Sequence, residues 1–217
     1  MSKDNVTVGF VGLGTMGARM AANVQRAGFR LLVYDLHRQA ASHILANGAI
    51  WADSPRALAT EADVIFSSLP EPSDVEAVAL GADGLIAGIK PGAAYFDLST
   101  NSPSVVKKLN TAFAERGAHM LDAPVSGGPA GAASRKLAIW VGGDENVFNR
   151  HKAVLDAINA KPEYNDDVVA SLKKLVEGYK KTSGYGGVSA PKEDAKPAAA
   201  KPATAPAAKA DQAPAKK

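Results

Sequence analysis

The sequence predicts an α/β fold over residues 1–158: a doubly wound, mainly parallel sheet with helices on both faces. Three observations predict it. Short apolar runs alternate with longer stretches of helical spacing from Val6 onward. Serine and proline stand where the helices should begin, at Ser54-Pro55, Pro72-Ser73-Asp74 and Ser102-Pro103, and Gly28, Gly48 and Gly117 stand where they should stop. The first apolar run ends in a glycine cluster that opens a helix, and an acid closes the next run.

Taken in order, Val6 to Val11 reads as a strand, Thr15 to Ala27 as a helix of small and apolar residues, and Arg30 to Tyr34 as the next strand. A helix over Arg38 to Asn47 follows, then a strand at Val64 to Ser68, a helix from Asp74 and a strand at Ala93 to Phe96. A helix from Pro103 to Arg116, strands at Ala118 to Leu121 and Leu137 to Val141, and a helix from Glu145 to Ile158 complete the unit. Beyond it, residues 159–183 read as a linker plus an amphipathic helix (166–181) with Val169, Leu172, Leu175, Val176 and Tyr179 on one side. Residues 184–217 are an Ala/Pro/Lys-rich tail without the apolar content to offset the entropy of ordering, and disorder is expected there.

Composition narrows the function. The chain has 46% hydrophobic and 22% charged residues, a globular balance, and no cysteine, which excludes disulfides, thiolate metal sites and a cysteine nucleophile. Neither a signal peptide nor a bilayer-spanning run is apparent, so no membrane partner and a cytoplasmic location are expected. The net charge of +3 resides in the tail, where six lysines face Glu193, Asp194 and Asp211 from Ala190 onward. The remainder is neutral and the stretch from Ala190 onward lacks aromatic residues, which argues against a nucleic-acid partner.

Chemistry concentrates in Gly12-Leu13-Gly14-Thr15-Met16-Gly17, a G-x-G-x-x-G between strand and helix, with Asp35 ending the second strand. This is the Rossmann dinucleotide-binding context. Gly12 permits the tight turn, Gly14 lets backbone approach a pyrophosphate, and Gly17 allows helix and strand to pack closely, while the helix start offers N–H groups to phosphate. Asp35 would accept hydrogen bonds from ribose hydroxyls and repel a 2′-phosphate, favouring NAD; Arg38, three residues on, leaves NADP open.

The segment Gly9 to Gly17 resembles the N-terminal signature of the 3-hydroxyisobutyrate dehydrogenase family, within the β-hydroxyacid dehydrogenases. Asp122-Ala123-Pro124-Val125-Ser126-Gly127-Gly128 is similar to that family's substrate-binding motif. Ser67-Ser68-Leu69-Pro70 and Asp97-Leu98-Ser99-Thr100 resemble its cofactor-contacting loops. The resemblance implies an NAD-dependent oxidoreductase acting on a small hydroxy acid, with Leu69, Pro70 and Thr100 on the nicotinamide side and Ser126, Gly127 and Gly128 holding the substrate carboxylate. A hydroxyl beside the N–H groups of a Gly-Gly turn makes a concave donor set for an anion. Read without the family, Ser-Gly-Gly is a flexible turn.

The family's Gly-x-Gly-x-x-x-Lys-x-x-Asn motif, whose lysine takes the hydroxyl proton, is absent after Ile158. At Gly184-Tyr185-Gly186 the lysine position falls on Ala190, with Pro191 next to it. The family's all-helical second domain and the strand expected after Ile158 have no counterpart in the sequence either. No catalytic residue is therefore assigned, little or no turnover is expected, and the alternative is a nucleotide-binding module without turnover. An exposed sheet edge would favour self-association.

Overall fold

The structure, a computed structural model, describes residues 5–160. The helix expected at 166–181 and the tail expected at 184–217 lie outside the described residues. Strand β1 (Thr7–Val11) leads through a tight turn into α1 (Gly17–Arg26), and β2 (Arg30–Tyr34) returns parallel to β1. The helix expected over Arg38 to Asn47 is divided into a 3-10 turn (Arg38–Ala41) and α2 (Ser42–Ala46). A two-residue strand β3 (Ile50–Trp51) and helix α3 (Pro55–Glu61) precede β4 (Val64–Ser67). Then come α4 (Pro72–Leu80), β5 (Ala94–Asp97), α5 (Pro103–Glu115) and β6 (His119–Asp122).

These strands form one six-stranded parallel sheet of order β3-β2-β1-β4-β5-β6. The order reverses between β1 and β4. Chains leave the sheet in opposite directions there, which opens a crevice at the carboxyl ends of the two strands. The central strands β4 and β5 are buried along their whole length, as expected for a sheet covered on both sides.

Side chains alternate between two core layers because successive strand residues point to opposite faces. On one face Phe10, Phe66 and Phe96, register partners on β1, β4 and β5, stack with ring centroids 6.3 and 5.2 Å apart. Met20 and Val24 of α1, with Val154 and Ile158 of the last described helix, α7 (Glu145–Ile158), close over them. On the other face Ile65 and Tyr95 pack under Leu58, Val75, Leu109 and Phe113, with the rings of Tyr95 and Phe113 5.1 Å apart. Each such aromatic pair adds roughly 0.5–1.5 kcal/mol beyond the area it buries.

Local signals fix the helix ends. Ser54 and Ser102 accept hydrogen bonds from the N–H groups of Ala57 and Val105, each with proline in the first turn, and each such cap is worth about 1 kcal/mol. Asp144 caps α7 by accepting from Asn146 and Val147. Asn23, buried on α1, donates to the carbonyl of Ala132 at 2.7 Å and so ties α1 to the segment after β6.

A second expected element also differs. Leu137 to Val141 does not join the main sheet as a full strand. Only β8 (Ala138–Ile139) is extended, and it pairs antiparallel with β7 (Val125–Ser126) in a separate two-stranded ribbon. Between them lies α6 (Gly128–Ser134), which the sequence reading did not anticipate. The apolar run misleads because its inner half serves the ribbon while Trp140 faces solvent, 59% exposed.

Candidate dinucleotide site at the carboxyl end of the sheet

Register defines the floor of the site. Tyr34, Val11, Ser67, Asp97 and Asp122 are successive lateral partners across β2, β1, β4, β5 and β6. With strands ~4.8 Å apart this row spans roughly 19 Å. The residue after each one begins a loop at the same end of the sheet. The loops at 12–16, 68–71, 98–102 and 123–127, together with Asp35, therefore emerge side by side.

The first loop is shaped by its glycines. Gly12 has φ +86°, and a Cβ on it would lie 2.3 Å from the carbonyl oxygen of Ser68, so both conformation and the neighbouring strand demand glycine. A Cβ on Gly17 would lie 1.9 Å from the carbonyl oxygen of Gly12, which explains how the helix closes onto the end of β1. Gly14 differs: a Cβ there would meet no protein atom within 4 Å, and the residue is exposed. Packing does not account for this glycine, and the open space around it leaves its backbone accessible to a group from outside. Among the described residues the N–H groups of Gly14, Thr15 and Met16 have no protein acceptor, as expected of the donors at a helix start. The loop thus fits a pyrophosphate.

Asp35 turns toward this loop. Its Oδ2 accepts from the N–H of Leu13 at 2.7 Å and its Oδ1 from the N–H of His37 at 2.8 Å. The N–H of Gly12 donates to the carbonyl of Tyr34 at 3.0 Å, locking the ends of β1 and β2 together. A carboxylate oxygen has two acceptor directions, so one on each oxygen stays available to ribose hydroxyls. Arg38 is exposed, its guanidinium carbon 5.0 Å from the centre of the Trp51 ring. It is thus stacked rather than ion-paired with Asp35.

The β4 and β5 loops are joined. The N–H of Leu69 donates to Ser99 Oγ at 3.0 Å, and that of Leu98 to the carbonyl of Ser67 at 2.9 Å. Leu69 is half-buried, and Pro70 and Thr100 are exposed beside it at the mouth. Ser126, Gly127 and Gly128 are exposed as well. Ser126 ends β7, Gly127 (φ +130°) caps α6 and Gly128 (φ +63°) begins it, so the segment is a strand-to-helix turn. The N–H of Ala123 donates to the carbonyl of Asp97 at 2.8 Å and keeps this segment against β5.

Sequence reasoning placed Ser67, Asp97 and Ser99 within the loop motifs but gave these polar residues beneath the loops no role of their own. Ser67, Asp97 and Ser99 are buried and mutually hydrogen-bonded. Their signal was a polar residue ending each of two otherwise apolar buried strands. Asp122 lies next to Asp97 in register, and burial first, then the Asp97 charge, raises its carboxyl above the usual value.

A family model described as the NAD binding domain of 6-phosphogluconate dehydrogenase matches residues 7–170. The NAD-dependent L-serine dehydrogenase of Pseudomonas aeruginosa is 44% identical over 151 residues, 70% of this chain and 51% of that protein. The 3-hydroxyisobutyrate dehydrogenase of the same organism is 41% identical over 149 residues, 69% of this chain and 50% of that protein. Among solved structures, the Mycobacterium tuberculosis 3-hydroxyisobutyrate dehydrogenase with L-serine superposes with a TM-score of 0.68 at 36% identity, covering 72% of this chain and 53% of that one. The chain spans about half the length of the curated relatives it matches. It belongs to the family of the NAD-binding domain of 6-phosphogluconate dehydrogenase, with 3-hydroxyisobutyrate dehydrogenases among its relatives.

Proposed function

We propose that this chain binds NAD across the carboxyl ends of its strands as the nucleotide half of an oxidoreductase for a small 3-hydroxy acid. The observation that carries the reading is Gly14, a glycine no protein neighbour requires, in a turn whose N–H groups lack acceptors and whose base is bonded to Asp35. NAD, when bound, supplies a nicotinamide ring that takes up or returns hydride. The N–H groups of Gly14, Thr15 and Met16 would meet the pyrophosphate, and Asp35 the adenosine ribose, where its charge opposes a 2′-phosphate. Arg38, on Trp51 at the same edge, keeps NADP as the lesser alternative. Leu69, Pro70 and Thr100 would border the nicotinamide, and Ser126, Gly127 and Gly128 the substrate carboxylate.

A second reading, nucleotide binding without turnover, draws support from the lysines. The sequence after Ile158 lacks the Gly-x-Gly-x-x-x-Lys-x-x-Asn motif. Among the described lysines, Lys90, Lys108 and Lys152 are engaged by Asp63, Glu76 and Asp156, and none is hydrogen-bonded to the 97–101 or 122–128 segments. Loss of a positioned general base costs roughly 10²- to 10⁴-fold in rate. Two measurements decide between the readings. Calorimetric titration with NADH tests the site, and absorbance at the NADH band, with NAD and a panel of 3-hydroxy acids, tests turnover. Binding with a flat absorbance trace selects the module, turnover selects the dehydrogenase, and absence of binding removes both.

A further inference from the structure

We infer that Asp97 is a positioning residue for the nicotinamide half of the site, a buried anion whose hydrogen bonds fix the loops at 69–70 and 99–101 in one arrangement. The inference rests on the nucleotide-binding reading above and deepens it. Asp97 is fully buried, and no ion pair to it is made among the described residues. A carboxylate removed from water without a cation is costly unless several donors converge on it. Three do. Ser67 Oγ reaches Oδ1 at 2.8 Å, the N–H of Ser99 reaches Oδ1 at 3.1 Å, and Asn101 Nδ2 reaches Oδ2 at 3.0 Å.

Two of these donors flank Thr100, so the carboxylate grips the loop on either side of the residue facing the mouth. Ser99 passes the constraint on, because its Oγ accepts from the N–H of Leu69. Both loops that would border the nicotinamide therefore hang from one carboxylate, whereas the adenosine end is held separately by Asp35.

Proton counting gives the network a direction. Ser67 has a single hydroxyl hydrogen, and an ionised Asp97 can only accept, so Ser67 donates to Asp97. The 2.7 Å contact between Ser67 Oγ and Tyr95 Oη must then be a donation from tyrosine to serine. Burial above all, with the Asp97 charge adding to it, holds the Tyr95 phenol well above its ordinary value, which keeps that proton in place. The chain Tyr95 to Ser67 to Asp97 is thus oriented, with both hydroxyl hydrogens pointing toward the carboxylate, and charge-assisted bonds of this kind are stronger than neutral ones.

The test compares two ligands on the full chain. NADH engages both halves of the site, and ADP-ribose lacks the nicotinamide. In Asp97→Asn one acceptor oxygen becomes an NH2 group, which opposes either the Ser67 and Ser99 donors or the Asn101 donor, and the affinity for NADH should fall about tenfold while that for ADP-ribose stays within about twofold. Ser99→Ala, which cuts the link to Leu69 and leaves the carboxylate intact, should shift the same ratio in the same direction and carries the test if Asp97→Asn fails to fold. A general loss of structure would weaken both ligands together. Parallel weakening, or no change in the ratio for either variant, overturns the inference. Failure of the unaltered protein to bind ADP-ribose overturns the nucleotide reading beneath it as well.

Discussion

Replacing Gly14 with alanine separates what the glycine loop does for folding from what it does for binding. Gly14 does not occupy the left-handed region, and its added Cβ would have no protein atom within 4 Å, so the folded state accommodates alanine without strain. The substitution also removes freedom from the unfolded chain, which stabilises by about 0.4–1 kcal/mol at a compatible site. For a domain of this size that corresponds to a rise in Tm of about 1–4 °C. The same methyl group stands where the pyrophosphate is expected to approach the backbone, and NADH affinity should drop at least about tenfold, equivalent to ~1.4 kcal/mol. Thermal unfolding followed by circular dichroism, beside titration of NADH fluorescence, measures both effects on one preparation. Unchanged affinity would refute the assignment of the loop, and a fall in Tm of several degrees would refute the account of its packing.

Four further outcomes are expected. Gly17→Ala places a carbon 1.9 Å from the carbonyl oxygen of Gly12, so it should lower Tm, the reverse of Gly14→Ala, in the same melting assay. Asp35→Ala leaves the N–H groups of Leu13 and His37 without their acceptor and should weaken NADH binding by about tenfold or more, read by calorimetry. His151 is buried against Phe96 with Nε2 unpartnered, and burial first, then the Arg150 charge, lowers its pKa to about 4 from 6.5. The unfolded chain takes up that proton near 6.5 and the folded one resists it, so this contribution to stability is complete above that pH and lost as pH falls toward 4; His151→Leu should flatten the dependence of Tm on pH across this window. Asp122 has a raised carboxyl pKa, so its stabilising effect is lost as pH rises through that value. Asp122→Asn should raise Tm at neutral pH, and the difference should vanish in acid.

Much of the fold was legible because its elements are long and strongly periodic. Helix α7 begins and ends at the residues the apolar spacing indicated, Glu145 and Ile158, and the strands at β1, β2, β4 and β5 lie within a residue of their apolar runs. Elements of two residues carry no period to read, which is why β3 and β7 went unseen. Helix α6 was hidden by composition, since a stretch beginning Gly128-Pro129 and built of small residues spells a turn until tertiary packing supplies the helix. The division at the site follows the same logic. Gly12, Gly14 and Gly17 show themselves by spacing, but the partnership of Ser67, Asp97 and Ser99 depends on parallel strands ending level with one another. That alignment is a property of three-dimensional register, absent from any local window.

The level row from Tyr34 to Asp122 has a consequence for how such a protein can vary. Inserting one residue inside any of these strands would advance its loop by roughly 3.3 Å and swap which side chains face each layer of helices. Lengthening or exchanging the segments beyond the row disturbs neither. Changes of ligand are therefore cheapest in the crest of loops, above a foundation that tolerates substitution but not slippage, and grafting experiments should cut immediately after Val11, Ser67, Asp97 and Asp122.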